Sequence, residues 1–164
     1  MTKLDFLNSQ HMANLNLDEF IDYLRPFLES KDIDVDSHPK RDLLIDSMRS
    51  SSNNLEGVAS NLQCYFHEVD EYNKKAIDKF IGSSNQVLID LKERLVNTDQ
   101  WDEANIDKIL SSYREEKELS VPKVNQPLRI ALTGSTNSPS LGMTLSLFEK
   151  KEALLRIEKL INLI

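Results

Sequence analysis

We predict an all-α fold from two features of the sequence, its composition and the spacing of its apolar side chains. Glycine (4) and proline (5) are scarce among the 164 residues, while leucine, lysine, glutamate and aspartate abound, and this balance favours helix over sheet. Apolar residues make up 40% and charged residues 29% of the chain, as is typical of folded globular proteins. We expect about eight helices, in one ordinary domain or two small ones.

The first predicted helix begins at a capping box. Asn16 is a favourable N-cap, and Glu19 can bond back to the backbone of Asn16. Pro26 should distort or end this helix, and the acidic segment 32–39 is predicted to be a loop. The apolar positions at helical spacing are Leu17, Phe20, Ile21, Leu24, Phe27 and Leu28.

Four further helices are predicted before residue 97. The second covers 43–48 and is broken by the polar run 50–54, whose last residue, Asn54, can cap the third. A fourth short helix covers 76–81, and Ser84 can cap the fifth. We place the boundary between two subdomains directly after this fifth helix, giving subdomains 1–97 and 98–164.

The second predicted subdomain opens at Trp101 with a helix that carries an apolar stripe over 106–113. The segment 118–127 contains two prolines and is predicted to be a connector. Ser138 precedes Pro139 as a cap precedes proline at a first helical position. A last helix is expected from about residue 150 to the end of the sequence.

Net charge is −7, which argues against a general nucleic-acid coat. Residues 1–120 carry 14 Lys and Arg against 24 Asp and Glu, a balance of −10. Residues 121–164 carry 6 cations against 3 anions, a balance of +3. A protein that reads a few bases needs local cations and need not be basic overall.

The sequence predicts a cytoplasmic protein. No apolar stretch approaches the roughly 20 residues needed to cross a bilayer, and residues 1–5 lack the apolar core of a secretion signal. The single cysteine, Cys64, excludes an internal disulfide and any cysteine-based zinc site.

We find no self-contained active site in the sequence. The three histidines, His11, His38 and His67, show no paired metal-ligand spacing, so no metal site is expected. No phosphate-binding glycine loop, dinucleotide fingerprint or nucleophile motif occurs.

The tract 126–134 reads Gln-Pro-Leu-Arg-Ile-Ala-Leu-Thr-Gly and precedes Ser138-Pro139-Ser140-Leu141. Leu128, Ile130 and Leu132 alternate, so composition alone favours a short extended core segment with Arg129 as an ordinary surface cation.

Both motifs closely resemble the C-terminal signature of bacterial glutamyl-tRNA synthetases. Three further segments resemble that family in the same order: 3–8 is similar to its KLDWLN segment, Trp101 to the tryptophan that opens its last helical unit, and 145–157 to its LLGKE…RI ending, with Glu149 where a glycine usually stands. The similarity spans nearly all 164 residues. It implies two packed helical subdomains of the class I glutamyl-tRNA synthetase anticodon-binding type.

The resemblance also implies an RNA site, because single-stranded bases are read on their edges and stacked on side chains. By position, Arg129 should contact the anticodon or its backbone, Ser138 should bond to a base, Pro139 should meet one and Leu141 should pack on a base face. Further RNA contacts are expected from Lys123, Gln126, Thr133, Lys150 and Arg156.

A family position that can hold an arginine reading the third anticodon base falls within 48–55. Arg49 is the single cation there. If Ser51 occupies the family's position instead, we expect relaxed discrimination between tRNA-Glu and tRNA-Gln. Both residues are therefore candidate RNA contacts.

The HIGH-type and KMSK-type catalytic motifs of the family are absent from this sequence. The resemblance therefore implies tRNA-Glu and the enzyme's own N-terminal catalytic domain as partners of a monomer, with ATP and Mg²⁺ bound in that catalytic half and no cofactor in this chain. The alternative interpretation is a helical protein-interaction module that kept the fold but lost RNA binding, which the charge of −7 favours.

Overall fold

The computed structural model describes residues 3–82 and 85–164, with the side chains of 3–7 left out. The described residues form ten α-helices and contain no strand, which confirms the all-α prediction. The helices are α1 Lys3–Asn14, α2 Leu17–Glu29, α3 Arg41–Met48, α4 Leu55–Leu62, α5 Lys74–Phe80, α6 Gln86–Val96, α7 Glu103–Glu116, α8 Val121–Thr133, α9 Leu141–Leu147 and α10 Lys150–Leu163.

The chain divides into two compact units, Met1–Glu68 and Val69–Ile164. The predicted boundary lies later, between 97 and 98, so residues 69–97 were expected in the first subdomain. In the structure α5 packs on α8, and α6 packs on α7, α8 and α10. The apolar faces of α5 and α6 are thereby buried within the second unit.

The first unit is built around α2, which packs against α3 and α4. Its N-terminus forms the predicted capping box: Asn16 Oδ1 accepts from Glu19 N at 2.9 Å, and Asn16 N donates to Glu19 Oε2 at 3.1 Å. The helix continues through Pro26 to Glu29, so Pro26 does not end it. Pro26 is exposed, and so is Asp22, whose carbonyl oxygen loses its helical partner at this proline.

Two further N-caps, Asn54 and Ser84, were predicted before residue 97. Asn54 Oδ1 accepts from Gly57 N at 2.7 Å and begins α4 as predicted. That helix ends at Leu62 and passes into a 3-10 turn, Gln63–Tyr65. The predicted cap Ser84 lies outside the described residues, and α6 begins at Gln86.

The second unit contains a helix that the sequence analysis did not predict. Segment 118–127 was expected to be a connector and 128–132 an extended segment, but Val121–Thr133 is one helix. Pro122 occupies its first turn, where proline is tolerated. Its buried residues, Val124, Pro127, Leu128, Ile130, Ala131 and Leu132, pack beneath α5, α9 and α10.

Candidate nucleic-acid interface

Most of the tract 126–134 lies inside α8, and its last residue, Gly134, is the C-cap of that helix. Gly134 follows Thr133 in the left-handed region at φ +70°, a conformation that glycine adopts without steric cost. Its N–H donates to Ile130 O at 2.9 Å. The chain then turns through 135–140 and enters α9, so this loop connects two buried helices of the second unit.

Arg129 binds this loop through a two-pronged contact. Its Nε donates to Ser138 Oγ at 2.7 Å, and its Nη2 donates to Pro139 O at 3.0 Å. The side chain is half-buried. Arg129 and Ser138, two of the predicted base contacts, therefore form one hydrogen-bonded unit, and Arg129 is not an outward surface cation.

The loop is also held from the α9 side. Thr144 Oγ1 lies 2.9 Å from both Ser138 Oγ and Ser140 O. Ser140 Oγ donates to Glu103 Oε1 of α7 at 2.7 Å and accepts from Met143 N at 3.2 Å. Four elements, α7, α8, the loop and α9, are joined at this point.

Helix α9 begins at Leu141, two residues after the predicted first position, Pro139. Its N-cap is Ser140, and its first residue is Leu141, so Ser138 and Pro139 lie in the preceding loop. Ser140 takes the capping role because its hydroxyl reaches the N–H three residues on. Leu141, expected to pack on a base, is 2% exposed and belongs to the core beneath the loop.

Two other predicted RNA contacts, Gln126 and Thr133, lie on α8. Thr133 Oγ1 donates to Arg129 O at 2.9 Å and accepts from Ser135 N at 3.2 Å, which ties the loop's first residue to α8. Gln126 is half-buried. Its Oε1 accepts no hydrogen bond within the described residues.

The three predicted backbone-contacting cations have different surroundings. Lys123 is exposed near the start of α8. Lys150 Nζ donates to Val96 O at 2.8 Å and Thr98 O at 2.6 Å, at the C-terminus of α6. Cations favour that end of a helix. Arg156 is 8% exposed and bonds within the protein, so Lys123 is the one of the three that the structure places on open surface.

In the first unit, Arg49 also serves an internal contact. Its Nη1 donates to Leu15 O at 2.7 Å, beyond the C-terminus of α1, and its guanidinium lies 4.9 Å from the centroid of the Phe20 ring. Ser51 is half-buried, and its backbone oxygen accepts from Asn61 Nδ2 at 3.1 Å.

An ionic cluster joins α6 and α7. Tyr113 Oη donates to Asp90 Oδ2 at 3.0 Å, and the Arg94 guanidinium lies 5.0 Å from the Tyr113 ring centroid. Burial, with the Asp90 hydrogen bond, raises the pKa of Tyr113 to about 12. A hydrogen bond from Gln86 is the main cause that lowers the pKa of Asp90. Both shifts move the pKa values away from the neutral range.

Sequence reasoning missed Thr144 and Glu103 as loop-holding residues. Thr144 and Ser146 are the two hydroxyl residues of a helix whose other residues are apolar, and this contrast was the available signal. Glu103 carried no signal, since a carboxylate in the first turn of a helix ordinarily complements the helix dipole.

Within the described residues, no group of three His, Cys, Asp or Glu side chains is arranged to hold a metal ion. Among the helices of that same part of the chain, none has the length and apolar character needed to cross a bilayer.

The fold and the family comparison define an anticodon-binding class of helical domain. The chain belongs to the family described as the anticodon binding domain, whose model matches residues 19–161. This membership supports the anticodon-binding interpretation over the protein-interaction module.

The relatives are glutamate–tRNA ligases. The chain is 35% identical over 158 residues to the "Glutamate--tRNA ligase" of Myxococcus xanthus, covering 95% of this chain and 33% of the relative. It is 29% identical over 163 residues to that of Buchnera aphidicola, covering 99% and 35%. The chain thus spans about a third of the length of these curated relatives.

Solved structures share the fold. A glutamate tRNA ligase from Elizabethkingia meningosepticum superposes with a TM-score of 0.83 at 21% identity, covering 96% of this chain and 31% of that one. A glutamate-tRNA synthetase from Elizabethkingia anophelis gives 0.79 at 22% identity, with the same coverages. At these identities the likeness shows the fold alone.

Proposed function

We propose that this chain binds the anticodon stem-loop of tRNA-Glu through the loop 135–140 of its second unit. The observation that carries the proposal is the Arg129 contact to Ser138 and Pro139, which holds the loop in one conformation. Family membership and the names of the relatives support RNA as the ligand.

The chemistry of the loop suits unpaired bases. Ser135, Asn137 and Ser140 are exposed polar residues, and Ser138 and Pro139 are half-buried beside them. Hydroxyl and amide groups can bond base edges, while a proline ring offers an apolar face. The loop lies in the segment of positive balance, 121–164. We assign base contacts to Ser138 and Pro139, and loop positioning to Arg129.

The attachment of glutamate to tRNA requires a catalytic domain in addition to an anticodon-binding domain. We propose that this unit anchors tRNA-Glu for an N-terminal catalytic domain that attaches glutamate to it, and that ATP and Mg²⁺ bind in that domain. We propose further that the protein acts in the cytoplasm as a monomer.

The test is fluorescence anisotropy of a labelled tRNA-Glu anticodon stem-loop with the 164-residue chain. Arg129→Ala should weaken binding by roughly tenfold, about the value of one hydrogen bond to a charged group, because the loop loses its contact to α8. Arg129→Lys keeps the charge but loses the two-pronged geometry, so it should also weaken binding.

The matched control is Arg94→Ala, which removes an equal charge from the same unit at a residue paired with Glu116. Circular dichroism should show all three variants folded. Equal affinities for Arg129→Ala and Arg94→Ala, or a wild-type chain that does not bind the stem-loop, would contradict the proposed function.

A further inference from the structure

Thr144 is buried, and its hydroxyl has to be satisfied by the protein. The side chain is 0% exposed in α9, and a buried hydroxyl without a partner is costly. Two oxygens lie within reach, Ser140 O and Ser138 Oγ, each at 2.9 Å. Ser140 O also accepts from Thr144 N at 2.9 Å, and its second lone pair can take the Thr144 hydroxyl. Thr144 Oγ1 then accepts from Ser138, or it donates to Ser138 instead, and in either case the two hydroxyls are hydrogen-bonded.

Ser138 Oγ has three hydrogen-bonding functions, one proton and two lone pairs. Arg129 Nε at 2.7 Å occupies one lone pair, because a guanidinium can only donate. Thr144 Oγ1 takes a second function, either by donating to the other lone pair or by accepting the proton. One function remains for a ligand.

The other acceptor near Ser138 competes poorly. Pro139 O lies 3.2 Å from Ser138 Oγ, beyond the usual O–H···O range. It already accepts from Arg129 Nη2 at 3.0 Å. The Thr144 contact is shorter and comes from a side chain that has no access to water. Thr144 is thus the group that determines whether the Ser138 hydroxyl keeps a donor or an acceptor function for a ligand.

We infer that Thr144 is a positioning residue for base discrimination: by taking one of the two free functions of Ser138, it leaves Ser138 a single donor or acceptor function toward the anticodon. This inference rests on the proposed function. A serine with both functions open could bond to either a carbonyl or an amino edge of a base. A serine with one function open distinguishes them, since the wrong edge leaves a polar group unpaired.

The test measures dissociation constants for the tRNA-Glu anticodon stem-loop and for three stem-loops, each with one anticodon base replaced. Thr144→Val removes the hydroxyl with little change of volume. At one anticodon position, the ratio of altered to unaltered dissociation constants should fall about three- to tenfold, the value of one hydrogen bond. Thr144→Ser keeps the hydroxyl and should restore the ratio.

The matched control is Ser146→Ala. Ser146 is also a buried hydroxyl of α9, 4% exposed, and it donates to Met143 O at 2.9 Å within the helix. Its loss should leave all ratios unchanged. A merely structural role of Thr144 predicts equal weakening for all four stem-loops.

Equal weakening, unchanged ratios, or a Thr144→Ser variant that behaves like Thr144→Val would each overturn the inference. The wild-type chain separates this failure from that of the proposed function. A wild-type chain that binds no stem-loop rejects the function and the inference together, whereas binding with ratios that Thr144→Val does not change rejects the inference alone.

Discussion

Arg156 of α10 donates from Nη1 to the carbonyl oxygen of Leu132 in the last turn of α8, at 2.9 Å. Its guanidinium also lies 4.7 Å from the Phe148 ring centroid, and its Nη2 lies 2.6 Å from Glu152 Oε1. A cation near the C-terminus of a helix stabilises the exposed carbonyls there. Arg156 thus fixes the end of α8 from which the loop 135–140 departs.

Replacing Arg156 with methionine should lower the free energy of unfolding by about 1–3 kcal/mol, because Leu132 O loses its buried donor. Methionine fills much of the same volume, so a cavity adds little. Chemical denaturation followed by circular dichroism measures the change. Lys151→Met is the control, since Lys151 is exposed on the same helix, and should shift stability by less than about 0.5 kcal/mol. If Arg156→Met abolished stem-loop binding without loss of stability, Arg156 would be an RNA contact after all.

Gly134→Ala should destabilise the second unit more than Gly82→Ala does. Both glycines have positive φ, +70° and +61°, which costs an alanine about 1 kcal/mol. A Cβ at Gly134 would lie 2.8 Å from Val69 Cγ1 and 3.1 Å from Glu71 O, whereas at Gly82 its nearest neighbour is Asp78 O at 3.9 Å. Overpacking should add about 1–3 kcal/mol at Gly134 alone.

Thermal unfolding of the two alanine variants measures this difference directly. Because the backbone strain is shared, the gap between their melting temperatures isolates the crowding at Gly134. Equal melting temperatures would mean that the contact between Gly134 and Val69 is looser than the structure shows.

Tyr113→Phe should remove a stabilisation that disappears at high pH. The folded-state pKa of Tyr113, about 12, lies above its ordinary value of 10.0. The stabilisation is therefore complete below pH 10 and is lost as pH rises toward 12. At neutral pH the variant should lose about 1 kcal/mol with the hydrogen bond to Asp90. Between pH 10 and 12 the stabilities of the two proteins should converge, as denaturation at a series of pH values would show. A constant difference across that range would contradict the raised pKa.

Local signals in the sequence predicted most of the helices, because their ends depend on nearby residues. The Asn16 and Asn54 caps act over three residues, and both are confirmed. Helix α8 was missed for the opposite reason. Its two prolines resemble breaks, and the alternation of 128, 130 and 132 resembles a strand. Val124, Pro127, Leu128 and Ala131 do follow a helical period, but Ile130 and Leu132 are buried as well, and with Leu128 they supply the strand-like alternation.

In the candidate site, too, the sequence identified residues but did not show the contacts that depend on tertiary packing. The resemblance identified Arg129 and Ser138 as residues of one family signature, and the structure joins them at 2.7 Å. The sequence could not show that Arg129 points into the loop, because that direction depends on the left-handed turn at Gly134. Nor could it separate Lys123, which is exposed, from Arg156, which is buried. Burial of a long cation depends on tertiary packing, which the sequence around the cation does not show.

Ser51→Arg should increase the preference for tRNA-Glu over tRNA-Gln. The 48–55 segment offers one cation, Arg49, whose Nη1 donates to Leu15 O at 2.7 Å and whose guanidinium lies over Phe20. An arginine engaged in this way is poorly placed to read a base, so we propose that the natural chain discriminates weakly at the third anticodon base. A new arginine at 51 supplies the missing donor and should raise the ratio of the dissociation constant for tRNA-Gln to that for tRNA-Glu by roughly tenfold.

Ser51→Lys is the control, because it adds the same charge without a planar pair of donors. It should tighten both complexes alike through the backbone phosphates. A large preference for tRNA-Glu in the unaltered chain, or equal effects of Ser51→Arg and Ser51→Lys on the ratio, would show that another residue reads that base.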